Sequence, residues 1–330
     1  MPPARLPLQS YIDGVLAGDR VVLSRAITLV ESIREDDQQL AQELIQAILP
    51  KTGNSFRIGI TGVPGVGKST FIDAFGTMLT QQGNRVAVLA IDPSSKRGKG
   101  SILGDKTRMH RLSLDQGAYI RPSPTSGSLG GVARKTRESL LLCEAAGFDV
   151  ILVETVGVGQ SETAVHAMVD AFMLLMLPHA GDDLQGIKKG VMEMADLLVI
   201  NKSDGAYIPK ARAAKALYSQ ALRLFPHTPS GWQPPVALCS ALEETGLQEV
   251  WQTLGEFKDK QQSGSWWLEK RSNQAVQWME EEIQRQLGER FYHHPAVSEQ
   301  LSQLRDDVKT QKRSPIQAAL LLLSIWDRSM

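Results

Sequence analysis

The stretch Arg57-Ile58-Gly59-Ile60-Thr61-Gly62-Val63-Pro64-Gly65-Val66-Gly67-Lys68-Ser69-Thr70 decides the fold. A short apolar run ends at a glycine, and Gly62 to Ser69 then match G-x-x-x-x-G-K-[ST]. The residues that follow, STFIDAFGTMLTQQG, carry helical spacing, so the motif sits where a strand turns into a helix. That context gives the motif its chemistry. Backbone N–H groups freed by the glycines converge on phosphate oxygens, and the helix N-terminus adds partial positive charge. Lys68 is placed to bridge the outer phosphates, and Ser69 to offer a hydroxyl to Mg²⁺.

Outward from this stretch, short β-rich runs alternate with longer helical patterns: RVAVLAID, AYIRPS, DVILVETVG, AFMLLMLP, DLLVINKSD and PPVALCSAL. These runs are apolar throughout rather than alternating, and their connections are helical. Together they predict an α/β fold of the P-loop NTPase type, a mostly parallel sheet with helices on both faces. Before Phe56 the spacing predicts two packed helices. After Leu254 the strand signals stop and charged helical patterns run to the end. In SPIQAALLLLSIWDR, Ser314 is the expected N-cap and Pro315 the first helical residue. The expected organisation is therefore an N-terminal helical extension (1–55), a nucleotide-binding domain (56–257) and a C-terminal helical arm (258–330).

The 330 residues are 42% hydrophobic and 22% charged, with 36 basic against 36 acidic side chains. This is a globular composition without a net charge to draw it to nucleic acid or an anionic membrane. The first twenty residues contain no apolar core, and the longest apolar stretch, Ala318 to Trp326, is too short for a bilayer. The expected location is cytoplasmic. Cys143 and Cys239 lie in apolar runs and form no C-x-x-C pair, which predicts buried, reduced thiols.

Two acids end strands at the ligand-binding edge, Asp92 and Glu154. Glu154-Thr155-Val156-Gly157 stands where GTPases carry D-x-x-G, so Glu154 is a candidate metal ligand and the Gly157 amide a γ-phosphate donor. Asn201-Lys202-Ser203-Asp204 follows another strand and fits N-K-x-D. The Asp204 carboxylate can accept from guanine N1–H and N2–H₂, whereas adenine would leave that charge unpaired. Lys202 is expected over the base plane, Asn201 as a tie to the P-loop, and Ser240-Ala241-Leu242 as the source of a backbone N–H for the guanine carbonyl. The nucleotide set is thus Gly62, Val63, Pro64, Gly65, Val66, Gly67, Lys68, Ser69, Thr70, Gly157, Asn201, Lys202, Asp204, Ser240, Ala241 and Leu242. The metal set is Ser69, Asp92, Asp105 and Glu154, and the catalytic set Lys68, Glu154, Asp105 and Lys188. Asp105 lies in a polar, Gly-rich stretch that suits a switch loop, and the loop after AFMLLMLPHA brings Lys188 and Lys189 to the same sheet edge, where either is a candidate to answer to phosphate charge. Val158 stands where Ras-like enzymes hold the water-orienting glutamine, which predicts slow intrinsic GTP hydrolysis accelerated by a partner.

With these motifs in place, the chain resembles the MeaB/ArgK family of GTPases that serve adenosylcobalamin-dependent methylmalonyl-CoA mutase. The resemblance runs through GVPGVGKST, IDPSS, GSILGDKTRM, RPSPTSGSLGG, VETVGVGQSE and NKSD, and covers nearly the whole chain. It implies a Mg²⁺-dependent GTP/GDP switch that gates or protects the mutase's cofactor, and a homodimer formed through the C-terminal arm. Two alternatives remain. One is an ATPase or kinase accessory to arginine and ornithine transport, which N-K-x-D disfavours. The other is a metal-insertion GTPase, for which His293-His294 is the only histidine pair.

Overall fold

The computed structural model describes residues 5–91, 108–122, 129–155, 161–178, 189–225, 228 and 230–329. Among the described residues, seven parallel strands form one sheet: β1 (Phe56–Gly62), β2 (Val86–Ile91), β3 (Ala118–Arg121), β4 (Val150–Thr155), β5 (Ala171–Met176), β6 (Leu197–Ile200) and β7 (Val236–Leu238). Their spatial order is β3-β2-β4-β1-β5-β6-β7, with β1 in register against Val150–Glu154 on one side and Ala171–Leu175 on the other. Every residue of β1, β2, β4, β5 and β6 is buried, as continuous apolar runs require when both faces are covered.

Helices α1 (Leu8–Leu16), α2 (Arg20–Val30) and α3 (Glu35–Ile48) precede the sheet. The expected second helix is thus two. Ser32 Oγ donates to Asp37 Oδ2 at 2.6 Å and accepts from Arg34 N, so a serine that bonds locally breaks the helical ladder between Val30 and Glu35. The sheet is covered by α4 (Lys68–Gln81), α5 (His110–Leu114), α6 (Leu129–Ala145), α7 (Ser161–His166), α8 (Lys189–Glu193), α9 (Ile208–Leu222) and α10 (Leu247–Gln262). Phe71, Phe75, Leu254 and Phe257 of α4 and α10 pack on one face, and Ala211, Tyr218 and Leu222 of α9 pack on Leu198 and Ile200. Both cysteines are buried, and neither is in a disulfide.

The long α11 (Trp266–His293) crosses from one compact unit, Met1–Lys270, into a second, Arg271–Met330. The second unit pairs α12 (Pro295–Lys309) with α13 (Pro315–Ser329) around Val297, Leu304, Ala318 and Leu322, and Trp326 meets Phe291 edge-on at 5.7 Å. Ser314 caps α13 through Gln317 N. Two apolar rows stay exposed in the single chain: Val276, Met279, Ile283 and Leu287 on α11, and Ile316, Leu320 and Leu323 on α13. No described helix is long and apolar enough to cross a membrane.

Candidate nucleotide site

The carboxyl ends of β1, β4 and β6 meet at one edge of the sheet. After β1 the chain loops through Val63–Val66 and enters α4 at Gly67, whose φ of 91° is left-handed and favours glycine. A Cβ at Gly67 would lie 3.0 Å from Asn201 Nδ2, so the glycine also makes room for the neighbouring loop. The α4 helix therefore aims its first N–H groups into the loop, a ready anion site. Lys68 Nζ donates to the Gly62 carbonyl at 2.8 Å. Burial pushes the Lys68 pKa down, and the charges of Glu154 and Glu162 oppose that shift.

Glu154, 5% exposed at the end of β4, lies beside α4: Ser69 Oγ donates to Glu154 Oε1 at 3.3 Å. The buried Thr155 Oγ1 donates to Thr61 Oγ1 at 2.8 Å and fastens the ends of β4 and β1 together. A hydroxyl and a carboxylate brought this close at a phosphate-binding helix form the hard-oxygen pair that Mg²⁺ prefers. Asp92, Asp105, Gly157, Val158 and Lys188 lie outside the described residues.

The loop after β6 is organised by Asn201, 2% exposed. Its Nδ2 donates to the Val66 carbonyl at 2.9 Å, and its Oδ1 accepts from Ala241 N at 3.0 Å and from Cys239 Sγ at 3.5 Å. One amide thus joins the P-loop to the loop after β7. Lys202, at φ 57°, donates to the Gly65 carbonyl at 2.8 Å. Ser240 Oγ donates to the Asp204 carboxylate and accepts from Glu243 N, which leaves Asp204 fixed beside the loop. Of the three residues expected to supply an amide, Ser240 gives its N–H to Thr245 and Ala241 gives its own to Asn201. Leu242, 80% exposed, keeps the N–H that no described residue takes up.

Glu162, which no motif singles out, is 1% exposed on α7 and close enough to act on the charge of Lys68. Its place within VETVGVGQSE was the available signal. Cys239 is more than a buried thiol, since its Sγ donates to Oδ1 of the hub amide of Asn201.

A P-loop entering a helix at the centre of a parallel sheet, with a strand-end acid on the helix serine, defines a P-loop nucleoside triphosphatase. The chain belongs to the family described as methylmalonyl Co-A mutase-associated GTPase MeaB, whose model matches residues 23–296. It is 52% identical to a probable GTPase of Mycobacterium tuberculosis over 94% of this chain and 93% of that one. It is 48% identical to the mouse mitochondrial methylmalonic aciduria type A homolog (96% and 80% covered) and 46% identical to the GTPase ArgK of Escherichia coli (90% of each). A crystal structure titled LAO/AO transport system kinase superposes with a TM-score of 0.79 at 37% identity, over 98% of this chain and 100% of that one.

Proposed function

We propose that this GTPase binds Mg²⁺ with GTP or GDP and uses hydrolysis as a switch on an adenosylcobalamin-dependent methylmalonyl-CoA mutase, gating or protecting that enzyme's cofactor. The convergence of Val66, Ala241 and Cys239 on Asn201 carries the nucleotide part, because it holds the phosphate loop and the base loop as one unit. In this reading Lys68 faces the outer phosphates, and Ser69 with Glu154 holds the metal, joined by Asp92 and Asp105. Gly157 and Lys188 answer to the γ-phosphate. Asp204 reads the guanine edge, and Leu242 offers the amide for its carbonyl oxygen. A metal held by these residues would supply charge neutralisation to the phosphates, while the protein groups orient and desolvate them.

The mutase is favoured by the family's description and by the mouse relative's name. We read residues 1–55 as a helical extension, 56–257 as the GTPase domain and 258–330 as a dimerisation arm, in a cytoplasmic homodimer. The exposed rows on α11 and α13 support the arm's role, since apolar faces of that length favour a partner. With Val158 in the glutamine position, intrinsic turnover is slow and the client completes the site. The experiment is to measure GTP turnover with and without the mutase, and mutase affinity with a GTP analogue against GDP. Acceleration with nucleotide-dependent affinity is expected, because coupling between sites is reciprocal. Equal affinities and no acceleration, with the mutase folded and loaded, would exclude it as the client. Sedimentation of the wild type and of Ile283→Glu tests the arm: a dimer that the substitution leaves intact would exclude the α11 row from the interface.

A further inference from the structure

The loop after β7 is held from outside as well as by Asn201. Glu244, in its outer turn, sits at φ 55°, a left-handed conformation that side-chain-bearing residues adopt at a cost. Its carboxylate accepts a hydrogen bond from Arg111 Nη1. Arg111 lies on the short α5, which is itself fastened to α4. Leu112 N donates to Asp73 Oδ1 at 2.8 Å, and Thr80 Oγ1 donates to the Asp115 carboxylate at 2.6 Å. The buried Leu112 side chain packs so closely on Gly76 that an added Cβ there would lie 2.6 Å from Leu112 Cδ2. Asp73, Gly76 and Thr80 descend successive turns of the helix that begins with Lys68 and Ser69. A second route parallels the first, from Gln82 Nε2 to Gln248 Oε1 at 2.7 Å, just past Gly246. The phosphate-binding helix and the outer turn of the base loop are therefore joined through α5 without Asn201.

We infer that Arg111 and Glu244 form a brace that holds the 240–245 loop closed and sets how long a guanine nucleotide stays bound, without touching the nucleotide. This rests on the reading of Asp204 and the 240–242 turn as the base site. Both side chains are nearly half exposed, 47% and 46%, so the pair adds little to global stability. The loop's other bonds cluster at its base, with Ala241 N on Asn201, the Ser240–Thr245 backbone pair, and the Ser240 hydroxyl donating to Asp204 and accepting from Glu243 N, so Arg111 is the described side chain that holds the outer turn at Glu244. A weak contact can govern the opening of a small segment even where it is negligible for the whole fold.

The experiment follows release of a fluorescent GDP analogue, chased with unlabelled GDP, from wild type, Arg111→Ala, Glu244→Gln, Arg111→Glu and the charge-swapped Arg111→Glu/Glu244→Arg. Release should quicken about two- to fivefold in the single variants, the scale of an exposed ion pair, and return toward wild type in the swap. Association and single-turnover hydrolysis at saturating GTP should not change, and added salt should speed release from the wild type more than from Arg111→Ala. Unchanged release in the single variants overturns the brace, and so does a swap that releases as fast as Arg111→Glu. Asp204→Asn separately carries the base reading. If that variant keeps wild-type guanine affinity, the reading fails and the brace with it. If Asp204→Asn weakens binding while the brace variants release normally, only the brace fails.

Discussion

Ser69 and Glu154, 85 residues apart, meet at 3.3 Å where α4 leaves the P-loop and β4 ends. Because the serine belongs to the helix that follows the P-loop and the acid to the strand beside β1, a metal held between them would report the position of both. Glu154→Ala should keep much of its GTP affinity, require more Mg²⁺, and slow single-turnover hydrolysis by about tenfold or more, the scale of one lost transition-state contact. A wild-type rate in that variant would remove Glu154 from the chemistry.

Asp204 accepts from the Ser240 hydroxyl, and a carboxylate so held keeps further acceptor capacity. Asp204→Asn should lower guanine affinity at least about tenfold and improve binding of xanthine nucleotides, since an amide can donate where the carboxylate could only accept. Competition titrations of GTP, ATP and xanthosine triphosphate decide it. Equal wild-type affinities for ATP and GTP would contradict the assignment.

Burial lowers the Lys68 pKa, so between its folded and unfolded values the unfolded chain holds more protons and stability rises with pH. Below the folded value the whole cost of burying the ammonium stands. Lys68→Met should therefore be no less stable than wild type at pH 7 without nucleotide, yet gain nothing from GTP with Mg²⁺. Thermal melts with and without GTP test this, and a nucleotide shift equal to the wild type's would be the contrary result.

His166 on α7 stands edge-on to Phe172 at 5.6 Å, and burial, with the charge of Lys270, lowers its pKa to about 4. The folded protein keeps it neutral. As pH falls from the unfolded value of about 6.5 toward 4, the unfolded chain takes up a proton that the folded one refuses, so stability drops by up to about 3 kcal/mol. His166→Phe should flatten that part of the profile. Denaturant melts at pH 7 and pH 5 that lose the same stability in both proteins would exclude His166 as the source.

The sheet and the P-loop were legible because a strand buried on both faces must be apolar throughout, and because Gly62 to Ser69 combine a turn requirement with a charge requirement. The break between α2 and α3 was not, since it depends on Ser32 meeting Asp37, whose carboxylate is also held by Arg5. Periodicity does not register a hydrogen bond of that kind. That Ser240 to Leu242 follow a strand is legible from the apolar run before them, but which of their amides stays open depends on Asn201, forty residues upstream, choosing Ala241. Glu162 shows the same limit: a charge beside Lys68 follows from how α7 packs, and eight residues of spacing from Glu154 do not reveal it.

The strand order carries a consequence for biosynthesis. β1 and β2 are made first, but they are not neighbours; β4 must slide between them, and β5 must close the far side of β1. Until the ribosome has passed Thr155, the emerging chain lacks β4, the strand that pairs with both β1 and β2, so the bonding edges of those two apolar strands have no native partner. Open strand edges pair with other extended segments, so a chain stalled or truncated at that stage should be aggregation-prone, and holdase chaperones should select nascent chains ending between β2 and β4.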